Sequence, residues 1–195
     1  AIEEGRLVAE DYSHLAMASR FMAGALGIPV MPTKSLLGTD IVNKKRDGIF
    51  KPLEIIDNPW NKGEPVVLLP ACVPDVALIH VQKADEIGNL IVEGFTTHEV
   101  EMARAAKVVI ASCEEIISSD YVRMDPDRTT IPYIFVDAVV EQPWGAYPTS
   151  VYKYYEHDDE HLRQYQTVAR SGGEPYDDYL MRYVYNCETF DEYLE

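Results

Sequence analysis

At 195 residues and 47% hydrophobic content, the chain can build one substantial core but not two large ones. Its formal net charge of −16 argues against a nucleic-acid partner, because neutralising phosphates takes clustered Lys and Arg. No apolar run of about 18 residues is present, so no membrane span is expected. Cys72, Cys113 and Cys187 are far apart with no CxxC, which suggests neither a disulfide framework nor a thiolate zinc site. A reducing cytoplasm is the expected setting. The start, Ala1-Ile2-Glu3-Glu4-Gly5-Arg6, has neither an initiator Met nor a signal-peptide core and reads as the middle of something longer.

Residues 12–26 predict a helix with Leu15, Met22 and Leu26 on one face. Ala16, Ala18, Ala23, Gly24 and Ala25 give that helix a small-residue surface, and Gly27-Ile28-Pro29 ends it. Residues 29–65, rich in proline and carrying Gly38, Gly48 and Gly63, predict a long irregular stretch of the functional or interface-forming kind. Val66 to Leu69 and Val76 to Val81 have the length and branching of buried strands. Gly88-Asn89 signals a turn, after which Leu90, Ile91 and Val92 return as a strand. Thr96 and Glu99 are spaced as a capping box for a helix that leads through Met102 and Ala106 to a strand at Val108 to Ala111. A strand pair is expected at Tyr133 to Val136 and Ala138 to Val140. This alternation predicts an α/β fold with a mostly parallel sheet and one hairpin.

The last quarter differs. Nine of the thirteen tyrosines lie between Tyr152 and Tyr193. Tyr176, Leu180, Tyr183, Cys187, Phe190 and Leu194 recur at helical steps, so residues 156–195 predict a helical tail, folded on its own domain or docked on a partner. The whole of 1–195 is expected to be one domain.

Four constellations carry possible chemistry. His157-Asp158-Asp159-Glu160-His161 matches the H-x-x-E-H metal pattern, but an acidic run at a helix start has its own reason to exist, and no metal site is assigned. Cys113, Glu114 and Glu115 follow the strand ending at Ala111, where side chains often line a ligand crevice. Solvated glutamates beside a packed Cys are the simpler reading, Glu114 above all, while a buried carboxylate here could act as an acid or base. The loop Pro32-Thr33-Lys34-Ser35-Leu36-Leu37-Gly38-Thr39-Asp40 offers Ser35, Thr39 and the amides near Gly38 to a carbonyl or carboxylate oxygen, or makes an ordinary Ser/Thr turn. The loop Gln142-Pro143-Trp144-Gly145-Ala146-Tyr147-Pro148 is stiffened by its prolines and open at Gly145 to close approach.

Taken in order, these segments resemble the α subunits of family I CoA-transferases, of the glutaconate CoA-transferase type. The helix from Arg20 to Pro29 leading into Pro32 to Asp40 is similar to that family's segment. So is Asp75 to Leu90, with its Ala84-Asp85-Glu86-Ile87-Gly88-Asn89 hairpin. Met102 to Lys107 followed by Cys113-Glu114-Glu115-Ile116-Ile117, and the closing stretch from Ile134 to Ser150, complete the set. No segment matches the family's glycine-rich first βα unit, so the sheet is expected to be incomplete and the isolated chain inactive.

The resemblance implies an open α/β sandwich of the NagB/RpiA-like kind and transfer of CoA between an acyl-CoA thioester and a carboxylic acid. Coenzyme A then serves as co-substrate, with no permanent cofactor. The nucleophilic glutamate is implied to lie on a partner β subunit; Ser35, Gly38, Thr39, Gln142 and Gly145 are the pocket-lining candidates here, and Glu115 is a lesser catalytic candidate because the resemblance puts an acidic pair at Glu114-Glu115. Lys34, Lys83 or Arg20 would suit a dicarboxylate. Two alternatives stand beside this reading: a CoA-ester or ring-opening hydrolase of the same fold, and a non-catalytic ligand-sensing module.

Overall fold

The computed structural model describes residues 2, 4–43 and 53–194. The chain falls into two units, Ala1–Pro143 and Trp144–Glu195. No helix among the described residues is long and apolar enough to cross a membrane.

In the first unit, Ser13 opens helix α1 (His14–Ala25) by accepting the Ala16 N–H. Gly27 ends it in the left-handed conformation, φ +68°. The small face expected of this helix is used for close approach: a Cβ built on Gly24 would lie 2.3 Å from the Cys72 carbonyl oxygen. The next stretch is less irregular than its prolines predict. It contains β1 (Val30–Thr33), the short helix α2 (Asp40–Asn43) and β2 (Glu54–Asp57), while Gly48 lies outside the described residues. β1 and β2 flank β3 (Pro65–Pro70) in an antiparallel sheet ordered β1-β3-β2. Pro32 is tolerated because β1 is an edge strand, with one neighbour to bond among the described residues. Ala16, Leu36, Val67 and Leu69 form the core beneath this sheet.

The second sheet is ordered β5-β4-β6-β7. Its strands are β4 (Val76–Asp85), β5 (Leu90–Ile91), β6 (Val108–Ile117) and β7 (Ala138–Glu141). β4, β6 and β7 run parallel, and β5 returns antiparallel across the Gly88 turn, φ +103°. Helix α3 (Glu99–Ala105) makes the crossover from β5 to β6, and α4 (Ser119–Met124) follows β6. Ala77, Ile79 and Val81 on β4 and Val109, Ala111 and Cys113 on β6 point into one core with Leu90, Ala103 and Ile131. Alternation sends the even-numbered side chains to the other face. There Val76, Leu78, Val108 and Ile110 are exposed, and His80, Gln82, Ser112 and Glu114 follow toward the strands' carboxyl ends. Gln82 holds the chain after β5, its side-chain oxygen accepting the Glu93 N–H and its amide donating to the Glu93 carbonyl.

Three local expectations change. Tyr133–Phe135 is a 3-10 turn after Pro132 rather than a strand, so β7 stands without a hairpin partner and pairs with β6. The capping box does not form: His98 caps α3 without a side-chain bond, and the Glu99 carboxylate turns to the N–H and hydroxyl of Thr97. Finally, β6 continues to Ile117, so Cys113, Glu114 and Glu115 lie within the strand and not beyond its end.

The second unit carries the expected helices as α5 (Asp159–Ser171), α6 (Glu174–Leu180) and α7 (Phe190–Leu194). The apolar pattern from Tyr176 to Leu194 is broken by a π-helical turn at Met181–Tyr185, whose extra residue per turn shifts the stripe before α7 begins. Gly172 and Gly173, φ +62° and +60°, separate α5 from α6. The buried His161 imidazole sits among the rings of Tyr147, Tyr179, Tyr183 and Tyr193.

Candidate functional site

Glu115 sits opposite Lys83 in the β4–β6 register, its carboxylate 3.6 Å from the Lys83 ammonium and half exposed. Ser35, Gly38 and Thr39 lie in the turns after β1. The Ser35 N–H donates to the Thr33 hydroxyl, and both the N–H and the hydroxyl of Thr39 donate to the Leu36 carbonyl. Gly38 takes φ +77°, which a side chain would resist. The Ser35 hydroxyl oxygen is buried and accepts or donates no hydrogen bond among the described residues. Gln142 extends the β7 ladder, its N–H donating to the Cys113 carbonyl at 2.8 Å. Gly145 belongs to the second unit, in a turn where Trp144 stacks on Tyr155 at 4.3 Å and the Ala146 N–H donates to the Tyr155 hydroxyl. The structure therefore places the two loops on different supports: the Ser35 loop beside the antiparallel sheet, Gln142 at the end of the parallel one.

The cations considered for a dicarboxylate are engaged within the chain. Lys34 lies 2.7 Å from Glu64, Lys83 reaches Glu115, and Arg20 donates to the Pro70 carbonyl while stacking over Tyr12. The H-x-x-E-H pattern also resolves into local roles. His157 precedes α5 and pairs with Asp159, whereas His161 lies in α5 with its Nε2 2.7 Å from the Tyr179 hydroxyl. Asp158 caps α5 and accepts the Tyr147 hydroxyl at 2.6 Å. Burial, then the bond to Asp158, pushes the Tyr147 phenol above its usual range. The acidic run is a helix start.

A cluster that no linear motif signals lies on the even-numbered face of β4 and β6. The parallel register sets His80 directly opposite Ser112. Their side chains meet, His80 Nδ1 to Ser112 Oγ at 2.8 Å, and Glu114 Oε1 approaches His80 Nε2 at 2.6 Å. Glu114, read from sequence as solvated, is 7% exposed. The tautomer that satisfies both bonds has Nε2–H donating to Glu114 and Nδ1 accepting the Ser112 hydroxyl proton. His80 and Ser112 are 32 residues apart, so only the register reveals them.

On the opposite face, Cys113 is fully buried. Burial, followed by the negative charge of Glu141, pushes its thiol up to about 11. Thiolate is the reactive form, so this cysteine should be inert in the folded chain. Titrating the native protein with a disulfide reagent at about pH 8, near the ordinary thiol pKa, should consume the half-buried Cys72 and Cys187 first. Cys113 should react only in denaturant, and its early modification would contradict the packing described.

Residues 1–142 match the profile of the coenzyme A transferase family. The chain belongs to that family. It is 37% identical over 205 residues to one subunit of the glutaconate CoA-transferase of Acidaminococcus fermentans, a match covering 98% of this chain and 63% of the relative. It is 42% identical to a protein of Archaeoglobus fulgidus over 195 residues, all of this chain and 42% of that one. The crystal structure of the Acidaminococcus glutaconate CoA-transferase superposes with a TM-score of 0.91 and 36% identity, covering 99% of this chain and 64% of that chain. The decarboxylase AibA/AibB superposes at 0.75 with 33% identity, covering 93% and 65%. The chain thus spans less than two thirds of each of these relatives. The comparisons agree with the α/β fold expected from sequence, and the family match ends where the parallel sheet ends.

Proposed function

We propose that this chain is the α subunit of an enzyme that moves CoA between an acyl-CoA thioester and a carboxylic acid. The single observation that supports it most is the superposition on glutaconate CoA-transferase across 99% of the chain at 36% identity. The relative from Acidaminococcus is named as one subunit of a CoA-transferase, so a β subunit is the natural partner. On this reading the partner's glutamate attacks the thioester carbonyl to give an acyl-glutamyl anhydride. The expelled CoA thiolate attacks the glutamyl carbonyl, releasing the first acid as its carboxylate and leaving a glutamyl-CoA thioester; an incoming carboxylate then runs the same two steps in reverse, leaving as its CoA thioester and restoring the glutamate. Covalent catalysis thereby divides one hard exchange into easier ones. The part taken by this chain is the pocket and its scaffold. Ser35, whose buried hydroxyl has no hydrogen-bond partner among the described residues, is the first candidate to meet an acyl oxygen; Gly38, Thr39, Gln142 and Gly145 are the other pocket candidates and Glu115 a further acid.

The test is a trap on the assembled complex. Incubation with acyl-CoA, then borohydride or hydroxylamine, followed by mass spectrometry, should find a modified glutamate on the partner chain. Free CoA accumulating with no modified glutamate would overturn the transfer reading.

A further inference from the structure

β3 pairs with β1 only from Val67 to Pro70, but with β2 from Pro65 to Leu68. The β2–β3 hairpin therefore runs past the end of β1, and all four residues of β2 are exposed, Ile55 and Ile56 among them. At its tip stands Trp60, 93% exposed. Single apolar residues on a surface are common and mean nothing by themselves. Trp60 differs in how it is held. The Asn58 N–H donates to the Glu64 carbonyl, and the Asn58 side-chain oxygen accepts the Trp60 N–H, each at 3.0 Å. The Asn61 N–H donates to the Asn58 carbonyl and the Glu64 N–H to the Asn61 carbonyl, both at 3.2 Å. Gly63 turns the chain at φ +87°, and the Glu64 carboxylate lies 2.7 Å from the ammonium of Lys34, the residue after β1. The tip is ordered before anything binds to it, and ordering an anchor in advance removes a cost of association. Holding an indole rigidly in water gains nothing for the chain itself.

We infer that Trp60 is an anchor of the subunit interface, seated in an apolar socket on the β subunit. The inference rests on the two-subunit reading above and adds to it a place where the subunits meet. Tryptophan suits the role because its rigid indole offers a large apolar area, and it is enriched among the side chains that dominate binding. The indole Nε1–H is a donor only, so the socket needs one acceptor at its base. Ile55 and Ile56 extend the apolar contact along the arm. Glu54 and Asp57, both exposed, outnumber Lys62 around the anchor, so a neutral or basic rim complements it. That points away from a second copy of this chain. Two copies would each bring a net charge of −16 to the contact, whereas a different chain is free to complement it.

The experiment uses the full chain and its β subunit, with Trp60 and Trp144 of this chain replaced by fluorotryptophan and read by fluorine NMR. The Trp60 resonance is assigned by its loss in Trp60→Phe. In the chain alone it should shift between H2O and D2O, as an exposed indole does, and adding the β subunit should abolish that shift. Trp60→Ala should weaken assembly by about 30-fold, the loss expected of a dominant interface side chain. The melting temperature of the chain should stay unchanged, because an exposed side chain contributes little to its own fold. Equal affinity of wild type and Trp60→Ala for the β subunit would overturn the anchor and leave the two-subunit reading standing. A Trp60 resonance already shielded in the chain alone would overturn it too, placing the indole against its own chain, or against a second copy if shielding grows with concentration. No complex between wild type and the β subunit would sink the two-subunit reading and the anchor with it.

Discussion

Asp85→Ala should destabilise the first unit by at least about 3 kcal/mol, since hydrogen bonds to a charged group contribute about 1.5–3 kcal/mol and several are lost together. Asp85 is 1% exposed, and one carboxylate oxygen accepts the N–H groups of Ile87 and Asn89, at 3.2 and 2.7 Å. The other accepts the Asn89 side-chain amide at 2.8 Å. Asn89 in turn accepts the Tyr133 N–H, so the carboxylate organises both the β4–β5 turn and the 3-10 turn beyond it. Alanine would leave buried donors without partners. For a chain of this size the loss corresponds to a melting temperature about 6–12 °C lower.

The same carboxylate predicts acid sensitivity. Burial alone would raise its pKa, but the bonds from Asn89 and Ile87 outweigh that and hold it below the ordinary carboxylate value. A depressed folded-state pKa contributes stability that is complete above the unfolded value, about 3.9, and is lost as pH falls through the folded one. Asp85→Asn should therefore cost less than alanine at neutral pH. It should also flatten the loss of stability below about pH 4. Parallel acid limbs in wild type and Asp85→Asn would contradict this account.

Gly24→Ala sets two effects of opposite sign against each other. In an exposed helix interior alanine is better than glycine by about 1 kcal/mol. Here the added methyl would meet the Cys72 carbonyl at 2.3 Å and the Ala105 methyl at 3.1 Å. Backbone cannot swing aside as a side chain does, so α1 must move away from the Cys72 segment and α3. Overpacking costs about 1–3 kcal/mol, and a clash with backbone belongs at the upper end. The net expectation is destabilisation by about 2 kcal/mol, read as a lower melting temperature or denaturant midpoint. A stabilised Gly24→Ala would mean that the close approach is not rigid.

What the sequence makes legible follows the apolar residues. Val66 to Leu69, Val76 to Val81 and Val108 to Ala111 announce their strands because each is a short, mainly apolar run whose odd-numbered side chains are buried. The same strands' carboxyl halves are hidden because their even-numbered face turns polar at His80, Gln82, Ser112 and Glu114, which interrupts the run without ending the strand. Tyr133 to Phe135 has strand composition but follows Pro132 and is drawn into a turn by the Asn89 side chain. Gly24 is visible as a small residue, and its contact with Cys72 is not. The family segments are readable in order, whereas the His80–Ser112–Glu114 cluster depends on a parallel register that no local pattern encodes.

The Gln82 clamp on Glu93 has a consequence for the β4–β5 hairpin. β5 pairs through only Leu90 and Ile91, against Ala84 and Lys83. A slip of one residue would turn apolar side chains to the wrong face, but a slip of two preserves the parity that burial can sense. The Gln82 side-chain amide imitates a peptide unit, offering one donor and one acceptor at a fixed spacing to the Glu93 backbone. Against a two-residue slip stands the turn itself, where the Asp85 carboxylate holds the Ile87 and Asn89 N–H groups, because turn geometry fixes hairpin register. The Gln82 amide then acts as one more rung where β5 has ended, carrying the pairing from two residues of strand out to Glu93.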